Sequence, residues 1–106
     1  MSDVPEEITV GEATALPAEW QWVDVRTPEE RAEGYIREDS VHIELTELAV
    51  RAGEIDRERP VLVYCRSGAR SAMAVAALRA GGYDATNLAG GILPWDEARL
   101  PVASDS

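Results

Sequence analysis

Val61-Leu62-Val63-Tyr64-Cys65-Arg66-Ser67-Gly68-Ala69-Arg70-Ser71 is the stretch on which the reading of this chain turns, and it contains the only cysteine. Four strand-forming residues run directly into the thiol. A short polar loop follows, and then an alanine-rich helix opens at Ala69. This order puts Cys65 at the carboxyl end of a buried strand and just before a helix N-terminus. Unpaired amides and the helix dipole favour an anion at such a point. Arg66 and Arg70 add permanent positive charge. A thiol in this setting is expected to ionise easily, and the thiolate is its reactive form.

Strand and helix signals alternate on both sides of that stretch. Residues 8–10 read as a first strand, and 11–16 as a short helix stopped by Pro17. Residues 20–25 read as a second strand. Thr27 then caps a helix with Pro28 at its first position and acids in its first turn. Residues 40–43 form a brief third strand, and 44–52 a helix closed by Gly53. The apolar run 61–64 is the fourth strand, expected at the sheet centre. Residues 69–80 make the best helix, ended by Gly81-Gly82. Residues 86–88 are a fifth strand, Gly90-Gly91 a turn, and 92–99 a last helix anchored by Trp95. The pattern predicts an α/β fold: one domain over residues 1–106, with a central, mainly parallel five-stranded sheet and helices on both faces. Its core spans about 8–102, and 103–106 read as a flexible tail. Ligands bind at the carboxyl ends of the strands in such sheets, where Cys65 lies.

Composition narrows the function classes. The chain has 106 residues and a formal charge of −10. Residues 1–59 hold 16 acids against 6 arginines, and the remainder holds four of each. The half with the cysteine loop thus escapes the acidic excess. This balance argues against nucleic-acid binding. No apolar run suits a membrane span, and the acidic start is not that of a signal peptide. A single cysteine makes no internal disulfide, which fits a reducing cytoplasm. With His42 as the only histidine, no cysteine- or histidine-rich metal site is expected.

A cysteine that only packs has no use for arginines one and five positions later. Nor does it need Gly68, where the missing side chain lets backbone amides converge on an anion. The residues Arg66, Ser67, Gly68, Ala69 and Arg70 are therefore read as a cradle that binds substrate around a nucleophilic Cys65. No histidine sits beside it as a general base. A thiolate in a cationic cup suits attack on a small anionic donor with a good leaving group, such as thiosulfate. A persulfide on Cys65 would then pass its sulfur to a thiol or cyanide in a ping-pong cycle.

Three ordered motifs carry a family resemblance. Asp24-Val25-Arg26-Thr27-Pro28-Glu29-Glu30, the loop from Tyr64 to Ser71, and Asn87-Leu88-Ala89-Gly90-Gly91-Ile92-Leu93-Pro94-Trp95 with Leu100-Pro101-Val102 resemble the signatures of rhodanese-like domains. The resemblance implies a single-domain sulfurtransferase with a five-stranded parallel sheet, Cys65 as persulfide carrier, and neither metal nor organic cofactor. Two departures stand out. The family usually has Gly-His-Ile-Pro-Gly before its third strand, whereas this chain has Gly34-Tyr35-Ile36-Arg37-Glu38-Asp39. Arg31 stands where an aromatic residue is usual, which predicts looser packing there.

Several residues have two readings. Asp24 and Arg26 end the second strand on the same sheet edge as Cys65. Asp24 either fixes a loop arginine or forms an ordinary ion pair. Ser71, Gly90 and Gly91 are read as support for the loop, the glycines through a tight turn. His42 is expected to be a satisfied strand histidine, and Trp20, Trp22 and Trp95 to be packing residues. The run 54–59 reads as a solvated loop.

Two alternatives to a sulfurtransferase remain open at the level of sequence. One is a non-catalytic sulfur-relay or regulatory module that accepts sulfur from a desulfurase or binds a partner. The other is a cysteine-based phosphatase or arsenate reductase. Tyrosine phosphatases place His before the cysteine and Arg six residues after it. Here Tyr64 precedes Cys65 and Arg70 follows by five, a ring sized for one sulfur atom more than for a phosphate.

Overall fold

The computed structural model describes residues 4–97 and 102. Five strands, β1 (Glu7–Ile8), β2 (Gln21–Asp24), β3 (Val41–His42), β4 (Val61–Tyr64) and β5 (Ala85–Leu88), form one parallel sheet in the order β1-β5-β4-β2-β3. Helices α1 (Val10–Ala13), α2 (Pro28–Ala32), α3 (Leu48–Arg51), α4 (Ala69–Ala80) and α5 (Ile92–Glu97) connect or follow them. β4 is central, as its apolar run predicts, and all four of its residues are buried.

Side chains alternate across the sheet. Val61 and Val63 enter one core with Val23, Leu48, Ala74, Val75 and Leu78 beneath α3 and α4. Leu62 and Tyr64 enter the other with Trp22, Leu88, Ile92 and Trp95 beneath α1 and α5. There Trp22 and Trp95 meet edge to face, with ring centroids 6.0 Å apart. The tryptophans at 22 and 95 are thus packing residues.

Local chemistry moves some boundaries from their expected places. The first strand is two residues long rather than 8–10. Thr9 and Glu12 form a reciprocal capping box, which draws residues 10–13 into α1. The segment 44–52 is not one helix; 3₁₀ turns at Leu45–Glu47 and Ala52–Glu54 flank α3. Part of the expected last helix, and the whole tail 103–106, lie outside the described residues.

The connection leaving β2 runs to β3 on one side, and the one leaving β4 runs to β5 on the other. Direction therefore reverses between β2 and β4. A crevice opens at the carboxyl ends of strands so arranged. The ends of β2 and β4 bring Asp24 and Arg26 to the same edge as Cys65.

Candidate active site

Cys65 has no exposed surface and belongs to the core that holds Val63 and Ala74, yet its sulfur is met there by polar groups. The Gly68 N–H points at Sγ from 3.0 Å and the Ser71 N–H from 3.4 Å. The Ser71 hydroxyl lies 3.3 Å away. Burial alone pushes the Cys65 thiol up. The Ser71 hydroxyl and the N–H groups of Ser71, Gly68 and Ser67 outweigh it, and the net shift is below the ordinary thiol value. Peptide hydrogens and one hydroxyl, rather than the arginines, do most of this.

The loop holds its shape because its carbonyls are tied elsewhere. The Ile92 N–H donates to the Cys65 carbonyl at 2.9 Å, and the Leu93 N–H to that of Arg66 at 3.3 Å. With those oxygens fixed on the first turn of α5, the N–H groups beyond them are free to turn toward the sulfur. Close approach of the β5–α5 turn needs Gly91, at φ +66°. A side chain there would strike the carbonyl oxygens of Cys65 and Arg66. Gly68, at φ +102°, starts α4 in a left-handed conformation and lies directly under Gly90. Gly91 thus lets the β5–α5 turn rest on the cysteine loop, whereas at Gly90, φ +76°, a side chain would strike the ring of Pro94.

The two loop arginines differ in role. Arg70 forms a bidentate pair with Glu30 of α2, with both N···O distances at 2.7 Å. Its charge is thereby matched within the protein. Arg66 is exposed, and no carboxylate pairs with it among the described residues. Of the two loop charges, that of Arg70 is paired with Glu30 and that of Arg66 is not. Ser67 and Ala69 are also exposed, and the Ser67 N–H adds the smallest of the named favourable influences on the Cys65 thiolate.

Asp24 holds neither Arg66 nor Arg70. It is wholly buried and bound by Arg26, whose Nε and Nη2 reach it at 3.0 and 2.9 Å. Arg31 adds a third contact at 3.3 Å. Arg26 also donates to the Gly34 carbonyl at 2.7 Å. The ordinary ion pair is the reading that the geometry supports for Asp24. A buried carboxylate with three guanidinium contacts and the Arg26 N–H at 2.9 Å is fully satisfied.

Looser packing at Arg31 is not found. Its guanidinium lies 3.8 Å from the centroid of the Tyr35 ring and donates to Ser40 Oγ and O. The two departures from the family pattern, Arg31 and Tyr35, answer each other as a stacked cation and ring. Tyr64, next to the nucleophile, is pinned from the same segment: the Ile36 N–H donates to its hydroxyl at 3.2 Å. Burial and the Asp24 charge push the Tyr64 hydroxyl up to about 12, so it stays protonated. His42 is satisfied, its Nε2 lying 2.7 Å from the Arg26 carbonyl. The run 54–59 is less free than expected, since Arg59 donates to the Glu19 carbonyl and Arg57 to that of Gly81.

Three functional-site neighbours escaped the sequence reading: Glu30, Asn87 and Glu7. Asn87 had a signal. An amide inside a strand of this sheet demands partners within the fold. It finds them in Ser71, Gly68 and Glu7. A cleft of about 460 Å³ opens beside the loop, lined by Arg66, Arg26, Glu30, Glu33, Ile92 and Asp96 among others. Arg66 brings the cysteine loop to this cleft; Cys65, Ser67, Gly68, Ala69 and Arg70 are not among its lining residues.

A parallel sheet whose central strand ends in one cysteine, with loop N–H groups turned to its sulfur, defines a class: α/β domains with a single-cysteine loop at the carboxyl edge of the sheet. A model of the rhodanese-like domain matches residues 9–98, and the chain belongs to that family. A sulfurtransferase from Allochromatium vinosum is 43% identical over 83 residues, 77% of each chain. The crystal structure of a rhodanese-related protein from Thermoplasma volcanium superposes with a TM-score of 0.88 at 30% identity, covering 93% of this chain and 98% of that one. A NAD-dependent persulfide reductase from A. fulgidus shares the fold over 85% of this chain and 16% of its own length, with a TM-score of 0.70 and 33% identity.

Proposed function

We propose that this chain is a sulfurtransferase that carries a sulfane sulfur as a persulfide on Cys65. The observation that carries the reading is the set of donors aimed at one sulfur: the N–H groups of Gly68 and Ser71 and the Ser71 hydroxyl. They favour a thiolate without a neighbouring base, which is the activation a sulfur nucleophile needs. The likeness to a named sulfurtransferase supports the same class of reaction.

With thiosulfate as donor, the Cys65 thiolate attacks the outer sulfur. A new S–S bond forms to Cys65, the bond to the sulfonate sulfur breaks, and sulfite leaves with the electron pair. The terminal sulfur of the persulfide carries the negative charge. An acceptor thiolate, or cyanide, then attacks that terminal sulfur and releases the Cys65 thiolate. Arg66 is the cation that draws an anionic donor to the cleft, and the loop Arg66–Ser67–Gly68–Ala69–Arg70 receives it. No step calls on a metal or an organic cofactor. A compartment that keeps thiols reduced, such as the cytoplasm, suits such a carrier.

A second reading, in which a partner protein or small persulfide supplies the sulfur, draws on the rim of the cleft. Glu30, Glu33 and Asp96 line it together with Arg66. Carboxylates at an entrance disfavour a small dianion relative to a less charged donor. A persulfide-reductase structure that contains this fold as a fraction of its length supports sulfur exchange with larger assemblies.

Intact-mass spectrometry tests both. Exposure to thiosulfate is expected to add one sulfur atom, and Cys65→Ser is expected to add none while keeping the native circular dichroism. Addition of sulfur to the Cys65→Ser protein overturns the carrier assignment. Labelling by cysteine persulfide, a monoanion at neutral pH, but not by thiosulfate selects the second reading.

A further inference from the structure

We propose that Asn87 is a positioning residue that competes with the Cys65 sulfur for the hydroxyl proton of Ser71, and so governs how firmly the site holds charge on that sulfur. The inference starts from an amide that has only one possible orientation. Asn87, on β5, is 3% exposed. Its Nδ2 donates to Glu7 Oε2 at 3.2 Å and to the Gly68 carbonyl at 3.3 Å. A carboxylate and a carbonyl accept only, so the nitrogen must face them and Oδ1 must face Ser71.

The Ser71 hydroxyl therefore meets three acceptors with a single proton. Asn87 Oδ1 lies 2.5 Å from its oxygen, the Gly68 carbonyl 3.2 Å and Cys65 Sγ 3.3 Å. While Cys65 is a neutral thiol, or the inner sulfur of a persulfide, the amide oxygen is the nearest and best acceptor. Once Sγ is ionised it becomes the stronger one, because hydrogen bonds to charged acceptors exceed those to neutral ones. Rotation about the Cβ–Oγ bond transfers the proton between them, and no heavy atom moves.

Charged groups on the surrounding elements are Arg66 and Arg70 at the loop and α4, Asp24 and Arg26 at the end of β2, Glu30 and Arg31 on α2, Asp96 on α5, and Glu7 on β1. Arg70, Arg26, Asp24 and Glu30 are fixed in ion pairs with one another. Glu7 touches Asn87 at the far end of this chain of contacts. The hydroxyl is the part of the cradle free to reorient as the sulfur charges. For the sulfur-carrier reading, on which only this consequence rests, Asn87 tunes the release of thiolate when the persulfide is discharged.

The direction of the effect is diagnostic. Loosening the cradle withdraws donors from Sγ and moves ionisation to higher pH. Removing a rival acceptor does the reverse. The test is the pH profile of Cys65 alkylation by iodoacetamide in the full chain, a readout that requires no sulfur transfer. It thus stands whatever becomes of the carrier reading. Asn87→Leu, close to Asn in shape, is expected to lower the midpoint by about 0.5–1 pH unit, the value of one neutral hydrogen bond. The same substitution in a Ser71→Ala background is expected to leave the midpoint where Ser71→Ala alone puts it. A rise, no change, or an equal fall in both backgrounds overturns the proposal. Should Asn87→Leu lose its native circular dichroism, Asn87→Ala takes its place with the same expected outcomes.

Discussion

Glu30 accepts two hydrogen bonds of 2.7 Å from the guanidinium of Arg70, and this pair ties the start of α2 to the start of α4. Glu30 is also the third residue of a capping box with Thr27, so its carboxylate is held from two sides. One ion pair thereby joins the two loops that leave β2 and β4 across the crevice.

Acid should dissolve that link first. Arg70 chiefly, helped by the Thr27 N–H and hydroxyl, holds the Glu30 carboxyl at about 2 against the opposing effect of burial. Its ordinary value is 4.5, so the unfolded chain binds the proton more readily. The stabilisation is complete above the ordinary value and is lost as pH falls from there toward about 2. Glu30→Gln is expected to cost about 1 kcal/mol at neutral pH. It should also flatten this acid limb, as read by urea denaturation across that range.

Ser71→Ala should move the Cys65 alkylation midpoint up. The hydroxyl is the largest of the favourable influences on the thiolate. Losing a hydrogen bond to a charged acceptor corresponds to about 1–2 pH units. Arg70→Ala, which removes a charge already matched by Glu30, should shift the midpoint less. A larger shift from Arg70→Ala would return the arginine to the leading electrostatic role.

The stacked pair of Arg31 and Tyr35 requires a planar cation. Arg31 also reaches Asp24 and Ser40 with the same guanidinium. Arg31→Leu is expected to destabilise by about 1–2 kcal/mol through the lost cation–ring contact and the weakened charge balance at Asp24. Arg31→Lys keeps the charge without the plane and should recover under half of that loss. Chemical denaturation of the two variants checks the ordering.

Gly91 and Gly53 form a matched pair for a backbone test. Gly91→Ala meets both a positive φ and the carbonyls of Cys65 and Arg66. It should cost more than about 2 kcal/mol and disturb the cysteine loop. Gly53 has nothing within 4 Å of where a Cβ would stand. Gly53→Ala should be neutral or stabilising by a few tenths of a kcal/mol. Thermal melts and Cys65 alkylation rates of both proteins give the comparison.

From sequence alone came the strand–loop–helix around Cys65, the parallel α/β class, the helix start at Thr27-Pro28 and the turn at Gly90-Gly91. Each depends on forces acting across a few residues: side-chain alternation, a hydroxyl cap, a ring-locked φ, a missing Cβ. Such forces leave a pattern in adjacent letters. Partner choice does not. Spacing made Arg66 and Arg70 look equivalent, but Arg70 belongs to Glu30, 40 positions away, and Asp24 belongs to Arg26 and Arg31. Asn87 meets Ser71, and Glu7 meets Asn87, because the order β1-β5-β4-β2-β3 sets together strands far apart along the chain. Hydrogen bonds and ion pairs are satisfied by whichever group lies within reach after folding, so only the tertiary structure decided which charges near the sulfur are paired and which acceptors surround the Ser71 hydroxyl.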